Sequence, residues 1–294
     1  MTRKKIAYLY YRNWAYEILK HIHQIQIERK DFVISDVICL EDTSDDLSFL
    51  DSQTSIHYVD PTKPNDLINI FKASNAKLVF CYSWSWIIPS EIVDSYHCIC
   101  LHPSKLPEYR GGAPIQNQVL DGVLDSAVTV FKMNSGIDTG PIYRQIRFSL
   151  DAPIEEVFKR MSGIGKVVSN DLISDYLNED LLFENQGNEN ASIAKRRKPS
   201  ESCISIEAIL NINFIDFQRM VNVLRDPYPN LNIEFGEFLL NITRIHFFSA
   251  LPENKCLLSK DSLLGYIQDK EIFVETLDGF ALISEYSIKK RELA

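Results

Sequence analysis

The sequence predicts a two-domain α/β protein, a mostly parallel sheet covered by helices and followed by a small β-rich domain. Three observations predict it. Short runs rich in β-branched and aromatic residues alternate with helical patterns through the first half. A polar stretch poor in bulky apolar side chains, NQGNENASIA over Asn185 to Ala194, then divides the chain. Beyond one further helix, the remaining apolar runs are separated by tight turns. A chain of 294 residues is long enough to bury two cores, and 45% hydrophobic with 24% charged residues is ordinary for a globular protein.

Lys5 to Tyr11 (KIAYLYY) reads as the first strand, and Asn13 is positioned to cap a helix that carries Trp14, Ile18 and Ile22. Phe32 to Leu40 and Ser55 to Val59 are the next strands. Asp66 to Ala73 is helical, and Lys77 to Tyr82 is a fourth buried strand that enters the turn Trp84-Ser85-Trp86-Ile87-Ile88-Pro89. His97 to Leu101 forms the fifth strand and delivers His102 at its C-terminal end, where open α/β sheets place ligands. Ile142 to Leu150 is a further strand. Ile154 to Leu177 is a long amphipathic helix with Val157, Met161, Ile164, Val167, Leu172 and Ile173 near one face. The polar stretch is a linker, so the first domain covers 1–190, and the linker with the β-rich domain covers 191–294. In that second part a helix over Phe214 to Leu224 ends at the Asp226-Pro227 step. Ile233 to Phe235, Phe238 to Ile245 and Ile272 to Val274 are strands, with turns at Gly236-Glu237, Lys260-Asp261 and Asp278-Gly279.

Several classes of function are disfavoured. The formal net charge is -9, whereas a face that grips a long phosphate backbone carries a basic excess, so a nucleic-acid partner is not expected. Lys195-Arg196-Arg197-Lys198 is a short exception and reads as a solvated linker. No apolar run reaches the roughly 18 residues that a membrane span requires. The N-terminal MTRKKIAYLYY lacks a long apolar region and a small-residue cleavage site, so the chain is expected in the cytoplasm. Its six cysteines then read as reduced thiols. Cys98, Cys100 and His102 alternate on one strand face, but no fourth ligand stands at a zinc-like spacing, and no metal is expected. No GxGxxG follows the first strand, so a nicotinamide or flavin dinucleotide is not indicated. The strand runs instead into Tyr11-Arg12-Asn13-Trp14, where Arg12 either forms a surface ion pair or holds a substrate phosphate or carboxylate.

The chemistry is concentrated in CLHPSKLPEYRGGAPIQ from Cys100 and AVTVFKMNSGIDTG ending at Gly140. His102 is a natural proton acceptor, and a carboxylate such as Asp138 can fix its tautomer and raise its basicity. Taken singly, the histidine reads equally as a core residue and the aspartate as a turn former. Together, in this order, they resemble the formyltetrahydrofolate-dependent formyltransferases, which carry Asn-x-His-Pro-Ser-Leu-Leu-Pro-x-x-Arg-Gly and later Asp-x-Gly. His102, Pro103, Ser104, Leu106, Pro107, Arg110 and Gly111 match, as do Asp138 and Gly140. Cys100 stands where the family has asparagine. Arg-Lys-Pro-Ser-Glu-Ser from Arg197 and Asp-Pro-Tyr-Pro from Asp226 are similar to the family's linker and to a step that introduces its C-terminal domain. The resemblance therefore covers most of the chain.

The resemblance implies a Rossmann-like formyltransferase domain with a small β-rich C-terminal domain. It implies formyltetrahydrofolate as the formyl donor and a primary amine as acceptor. His102 and Asp138 are the implied catalytic pair, and Cys100 replaces a side-chain N–H donor to the oxyanion with a weak S–H donor. Losing one such donor costs about 10²–10³ in rate. Three readings follow: another donor substitutes, the site binds but turns over poorly as a degenerate module, or the Cys100 thiolate becomes a transient formyl acceptor. Trp86, Ile87 and Ile88, with Asp138 and Gly140, are the implied folate-binding residues; Arg12 and Ser104 face the acceptor, and Arg110 either anchors the loop or faces the acceptor. A nucleotide-linked amino sugar is the leading acceptor, because the charge balance and the acid-rich Glu41 to Asp51 disfavour tRNA and because Trp84-Ser85 resembles a step in the sugar N-formyltransferases. Methionyl-tRNA formyltransferase, which shares both domains, is the alternative, and a formyltetrahydrofolate hydrolase ranks below both. The β-rich domain is a plausible surface for a homodimer.

Overall fold

The computed structural model describes residues 3–253, 255–258 and 271–290, so the Lys260-Asp261 turn lies outside the described residues. The chain divides into two compact units. One holds the residues up to Pro114 with Asp125–Ser149 and Val157–Ala194, and the other holds Ile115–Leu124, Leu150–Glu156 and the residues from Lys195 onward.

The central strands of the first unit are buried along nearly their whole length, Phe32–Leu40 and Leu78–Cys81 above all, the pattern of a parallel sheet covered on both faces. β1 (Lys4–Leu9), β2 (Phe32–Leu40), β3 (Ser55–Val59), β4 (Leu78–Cys81) and β5 (His97–His102) are parallel, in the order β3-β2-β1-β4-β5. A two-residue strand β6 (Arg110–Gly111) follows, and then β7 (Asp125–Lys132) and β8 (Ile142–Ser149) extend the sheet antiparallel beside β5, giving seven strands. The strand order reverses between β1 and β4, so the crevice at their C-terminal ends is the topological switch point of the fold. Tyr8, Phe80 and Tyr82 pack edge to face or tilted in the fully buried layer beneath it.

Helices α1 (Asn13–Arg29), α2 (Pro64–Ala73) and α3 (Ser90–Ser95) connect the parallel strands. Asn13 does not cap α1. It is the first helical residue, and Arg12 holds the cap position without a side-chain bond. The turn is set from across the crevice instead, because Ser83 Oγ accepts from the backbone N–H groups of Tyr11 and Arg12 at 3.2 and 3.0 Å. α4 (Pro114–Leu120) precedes β7, and the long helix α5 (Ile154–Asn178) follows β8. The seam of α5 runs through Val157, Met161, Gly165, Val168 and Leu172, spacings of four, four, three and four. Val167, expected on this face, is 59% exposed, and Val168 is buried in its place. Gly165 explains the offset: a Cβ there would stand 2.4 Å from Ile18 Cδ1 and 3.0 Å from Leu101 Cδ1, so the bare backbone closes on α1 and β5. A two-residue strand β9 (Ile193–Ala194) then pairs in parallel with β6.

In the second unit, β10 (Cys203–Ser205), β11 (Asn232–Phe235), β12 (Phe238–Phe248), β13 (Cys256–Leu257), β14 (Ile272–Thr276) and β15 (Gly279–Lys290) form a six-stranded sheet. Its order is β10-β11-β12-β15-β14-β13. α6 (Ile206–Ile209) and α7 (Phe214–Val223) belong to this unit, and the Asn213 side chain caps α7 by accepting from Asp216 N at 2.8 Å. Phe217 and Val221 from α7 join Leu240, Ile242, Val274 and Ile283 among its fully buried side chains. Among the described residues, no helix is long and apolar enough to cross a membrane.

Candidate active site

Residues alternating along a strand share a face, so β5 presents Cys98, Cys100 and His102 on one side. Cys98 is in the core, its thiol turned to Ile92 O at 3.8 Å, whereas His102 ends the strand and is 5% exposed. The loop that follows is closed by its own polar groups. Ser104 Oγ donates to Glu108 O at 2.6 Å, Thr129 Oγ1 donates to Ser104 O at 2.7 Å, and Gln145 Nε2 donates to Leu106 O at 3.1 Å. Ser104, expected to face the acceptor, is fully buried and spends its hydroxyl holding this loop. The result is that the Tyr109 carbonyl meets His102 Nε2 at 2.8 Å. A carbonyl only accepts, so Nε2 carries the proton. Tyr109 sits in the left-handed region, with φ 54°, a conformation that a bulky residue keeps only when its surroundings impose it.

The other imidazole nitrogen faces Asp138, with His102 Nδ1 3.4 Å from Asp138 Oδ2. Asp138 lies in the loop between β7 and β8 at φ 49°, and the same Oδ2 accepts from Gly111 N at 2.7 Å. Gly140 lets this loop cross β7, because a Cβ there would come within 1.8 Å of Lys132 O. Gly111 is required in the same sense. It has φ 97°, and a Cβ would stand 2.8 Å from Ala194 O.

Arg110 is tied into this arrangement by a residue that the sequence reading placed in a linker. Its Nε and Nη2 donate to Gln186 Oε1 at 3.2 and 2.7 Å, and Gln186 Nε2 donates to Asp138 O and Gly140 O at 3.0 and 2.6 Å. The segment from Asn185 to Ala194 is therefore a wall of the site. Tyr109 N donates to Ser192 Oγ at 2.8 Å, and the β6–β9 pairing holds the Arg110-Gly111 step. No sequence signal distinguishes Gln186 from the polar residues around it.

Cys100 is partly buried and unbridged. Burial, and then the negative charge of Asp138, push its thiol well above the ordinary value, so it stands beside the pair as a neutral S–H group. Among the described residues, no group of three or more His, Cys, Asp or Glu is placed to hold a metal.

On the switch-point side, Trp86 packs against Tyr11 and Trp84 with ring centroids 5.1 Å apart in each case. Ile87 is 91% exposed, and Ile88 is part of the core cluster with Ala7, Leu9 and Val79, so only its backbone can line a pocket. Arg12 lies over the Tyr11 ring and donates from Nε to Tyr11 OH at 2.5 Å, and Tyr11 OH is 3.0 Å from Ser85 Oγ. The crevice thus has an aromatic wall on one side and the His102–Asp138 pair at the end of the neighbouring strand.

The family described as formyl transferase matches residues 43–162, a span that holds both His102 and Asp138. Over that span the chain is similar to formyl transferases. It is 26% identical to the methionyl-tRNA formyltransferase of Clostridioides difficile over 252 residues, 82% of this chain and 77% of the relative. Rickettsial methionyl-tRNA formyltransferases are 33% and 34% identical over shorter stretches, and the chain spans 37% of their length. The fold is that of the methionyl-tRNA formyltransferase from Clostridium thermocellum, with TM-score 0.64 and 23% identity over 98% of this chain and 99% of that one. An N-formyltransferase from Helicobacter canadensis, solved with folinic acid and dTDP-3-aminofucose, is similar at TM-score 0.64 and 16% identity over 97% of this chain and all of that one.

Proposed function

We propose that the protein moves a formyl group from formyltetrahydrofolate to the primary amine of an amino sugar carried on a nucleotide. The observation that carries the transfer reading is the His102–Asp138 pair at the C-terminal edge of the sheet, held by two left-handed residues and two obligatory glycines. The donor, when bound, supplies an activated formyl carbon. The aromatic wall of Tyr11, Trp84 and Trp86 at the switch point fits a flat heteroaromatic ring. As the amine attacks, a proton must leave its nitrogen. His102 Nε2 is committed to the Tyr109 carbonyl, so the proton is taken on the Nδ1 side, where Asp138 balances the charge of the imidazolium. Asp138 is the more exposed partner, and its Oδ1 has no partner among the described residues, which leaves that oxygen for the substrate.

The amino-sugar acceptor rests on the net charge of -9 and the acid-rich stretch from Glu41 to Asp51. The dTDP-3-aminofucose bound by the Helicobacter canadensis enzyme is consistent with it. Methionyl-tRNA is the second reading, favoured by the names of the curated relatives. Tetrahydrofolate release, followed by absorbance with a panel of nucleotide-linked amino sugars and with charged initiator tRNA, separates the two. Turnover is expected with one amino sugar, reduced about 10²–10⁴-fold in His102→Ala, the range of general acid–base contributions. Turnover with the tRNA alone would move the acceptor, and folate binding without turnover of any amine would make the protein a degenerate module.

A further inference from the structure

The opposite ends of the same strands line an open cavity, with Arg3, Lys5 and Lys77 exposed to solvent at its edge. It has a volume of about 810 Å³ and is lined by Arg3, Lys4, Lys5, Lys77, His97 and Tyr176 among others, with Glu179 as the carboxylate in its wall. These residues lie at or beside the N-terminal starts of β1, β4 and β5 and at the end of α5. His97 and His102 mark the two ends of β5, so the cavity is roughly 17 Å from the catalytic pair at about 3.3 Å per strand residue.

The charges here are unevenly answered. Lys4 Nζ donates to Tyr176 O and Leu177 O at 3.0 and 3.1 Å and stands 3.5 Å from Glu179 Oε1, which closes the end of α5 and uses the one nearby carboxylate. Among the described residues, Arg3, Lys5 and Lys77 have no carboxylate partner. Lys77 lies 5.1 Å over the Tyr96 ring, a contact that orients the ammonium without neutralising it. Three cations without a carboxylate partner line one cavity, in a protein whose formal net charge is -9. A second observation points the same way. His97 Nδ1 is buried and has no hydrogen-bond partner among the described residues, the kind of group that native structures satisfy. Burial, and then the charge of Lys132, lower the pKa of His97.

We propose that this cavity binds a small multivalent anion of the di- or triphosphate kind, gripped by Arg3, Lys5 and Lys77, with His97 in its wall. A compact anion fits better than a nucleic-acid backbone, because a long polyanion laid across the cavity meets the acidic surface beyond it. The site goes beyond the formyl-transfer reading and does not depend on it. Calorimetric titration of the full chain with tripolyphosphate is expected to give saturable one-to-one binding and to move the His97 ring resonances in NMR. Lys5→Glu combined with Lys77→Glu is expected to weaken binding about tenfold or more. Lys289→Glu in β15 should leave it unchanged. Lys5→Gln and Lys77→Gln, tested singly, keep the question answerable if the double variant fails to fold. Absence of saturable binding, binding unaffected by these variants, or tighter binding of a short single-stranded RNA would each overturn the proposal, whatever the formyl-transfer assay returns.

Discussion

Both nitrogens of His102 face acceptors, the Tyr109 carbonyl at 2.8 Å and Asp138 Oδ2 at 3.4 Å, and this governs what its neighbours can do. Cys100 cannot serve as a thiolate nucleophile in such a setting, because the carboxylate that steadies the imidazole also disfavours a second negative charge. Its thiol is expected to resist iodoacetamide at neutral pH, as measured by mass spectrometry of the intact chain; rapid labelling would restore the covalent reading. Cys100→Asn is expected to raise the single-turnover rate, by up to about 10²–10³ if an oxyanion donor is what the native site lacks. An unchanged rate would mean that another group already supplies the donor. Gln186 acts through Asp138 as a positioning residue. Gln186→Glu keeps the acceptor for Arg110 but loses the two N–H bonds to Asp138 O and Gly140 O. About a tenfold fall in kcat with little change in KM is expected, since a misplaced group costs rate before it costs binding. Equal kcat in wild type and variant would remove the positioning role.

The elements around the site are defined as much by missing side chains as by present ones. Gly165 is the clearest case, since an apolar pattern cannot register a residue with no side chain. The seam of α5 was legible at Val157, Met161 and Leu172 but was extended to Val167 instead of passing through Gly165 to Val168. Gly165→Leu is expected to cost at least about 1–3 kcal/mol by overpacking against Ile18 and Leu101, read from urea unfolding, where an unaltered midpoint would refute the close approach. Gly140→Ala should separate the loop from the fold. The added methyl collides with Lys132 O, so the loop that carries Asp138 shifts and turnover falls, while the sheet beneath keeps its Tm within a few degrees.

Across the whole molecule, two histidines are held below their ordinary pKa. His97 is lowered by burial and then by Lys132, and His21 by burial and then by Lys166. The folded state therefore binds fewer protons than the unfolded chain between the unfolded histidine value near 6.5 and the lower folded values. That stabilising contribution is fully present above the unfolded value and is lost as the pH falls through the folded ones. Unfolding free energy measured at a series of pH values is expected to decline on moving from pH 7 toward pH 5, less steeply in His97→Phe, and a flat profile would contradict the lowered pKa values. A ligand in the cationic cavity would oppose that decline, because an anion beside His97 favours its protonated form.

The order of strands and helices was determined by local information, since continuous apolar runs and a 3.6-residue period reveal themselves without a partner. So was the His102 to Asp138 motif, because its residues stand in a recognisable order along the chain. What only the tertiary structure decided depends on groups distant in sequence meeting in space. Ser83 sets the start of α1 from the turn after β4, Gln186 leaves a featureless polar stretch to hold Asp138, and the starts of β1 and β4 gather cations separated by up to 74 positions between Arg3 and Lys77. The physical reason is that a strand's face and a helix's seam are properties of one segment, whereas a hydrogen bond or a cavity between segments exists only after loop closure has brought them together.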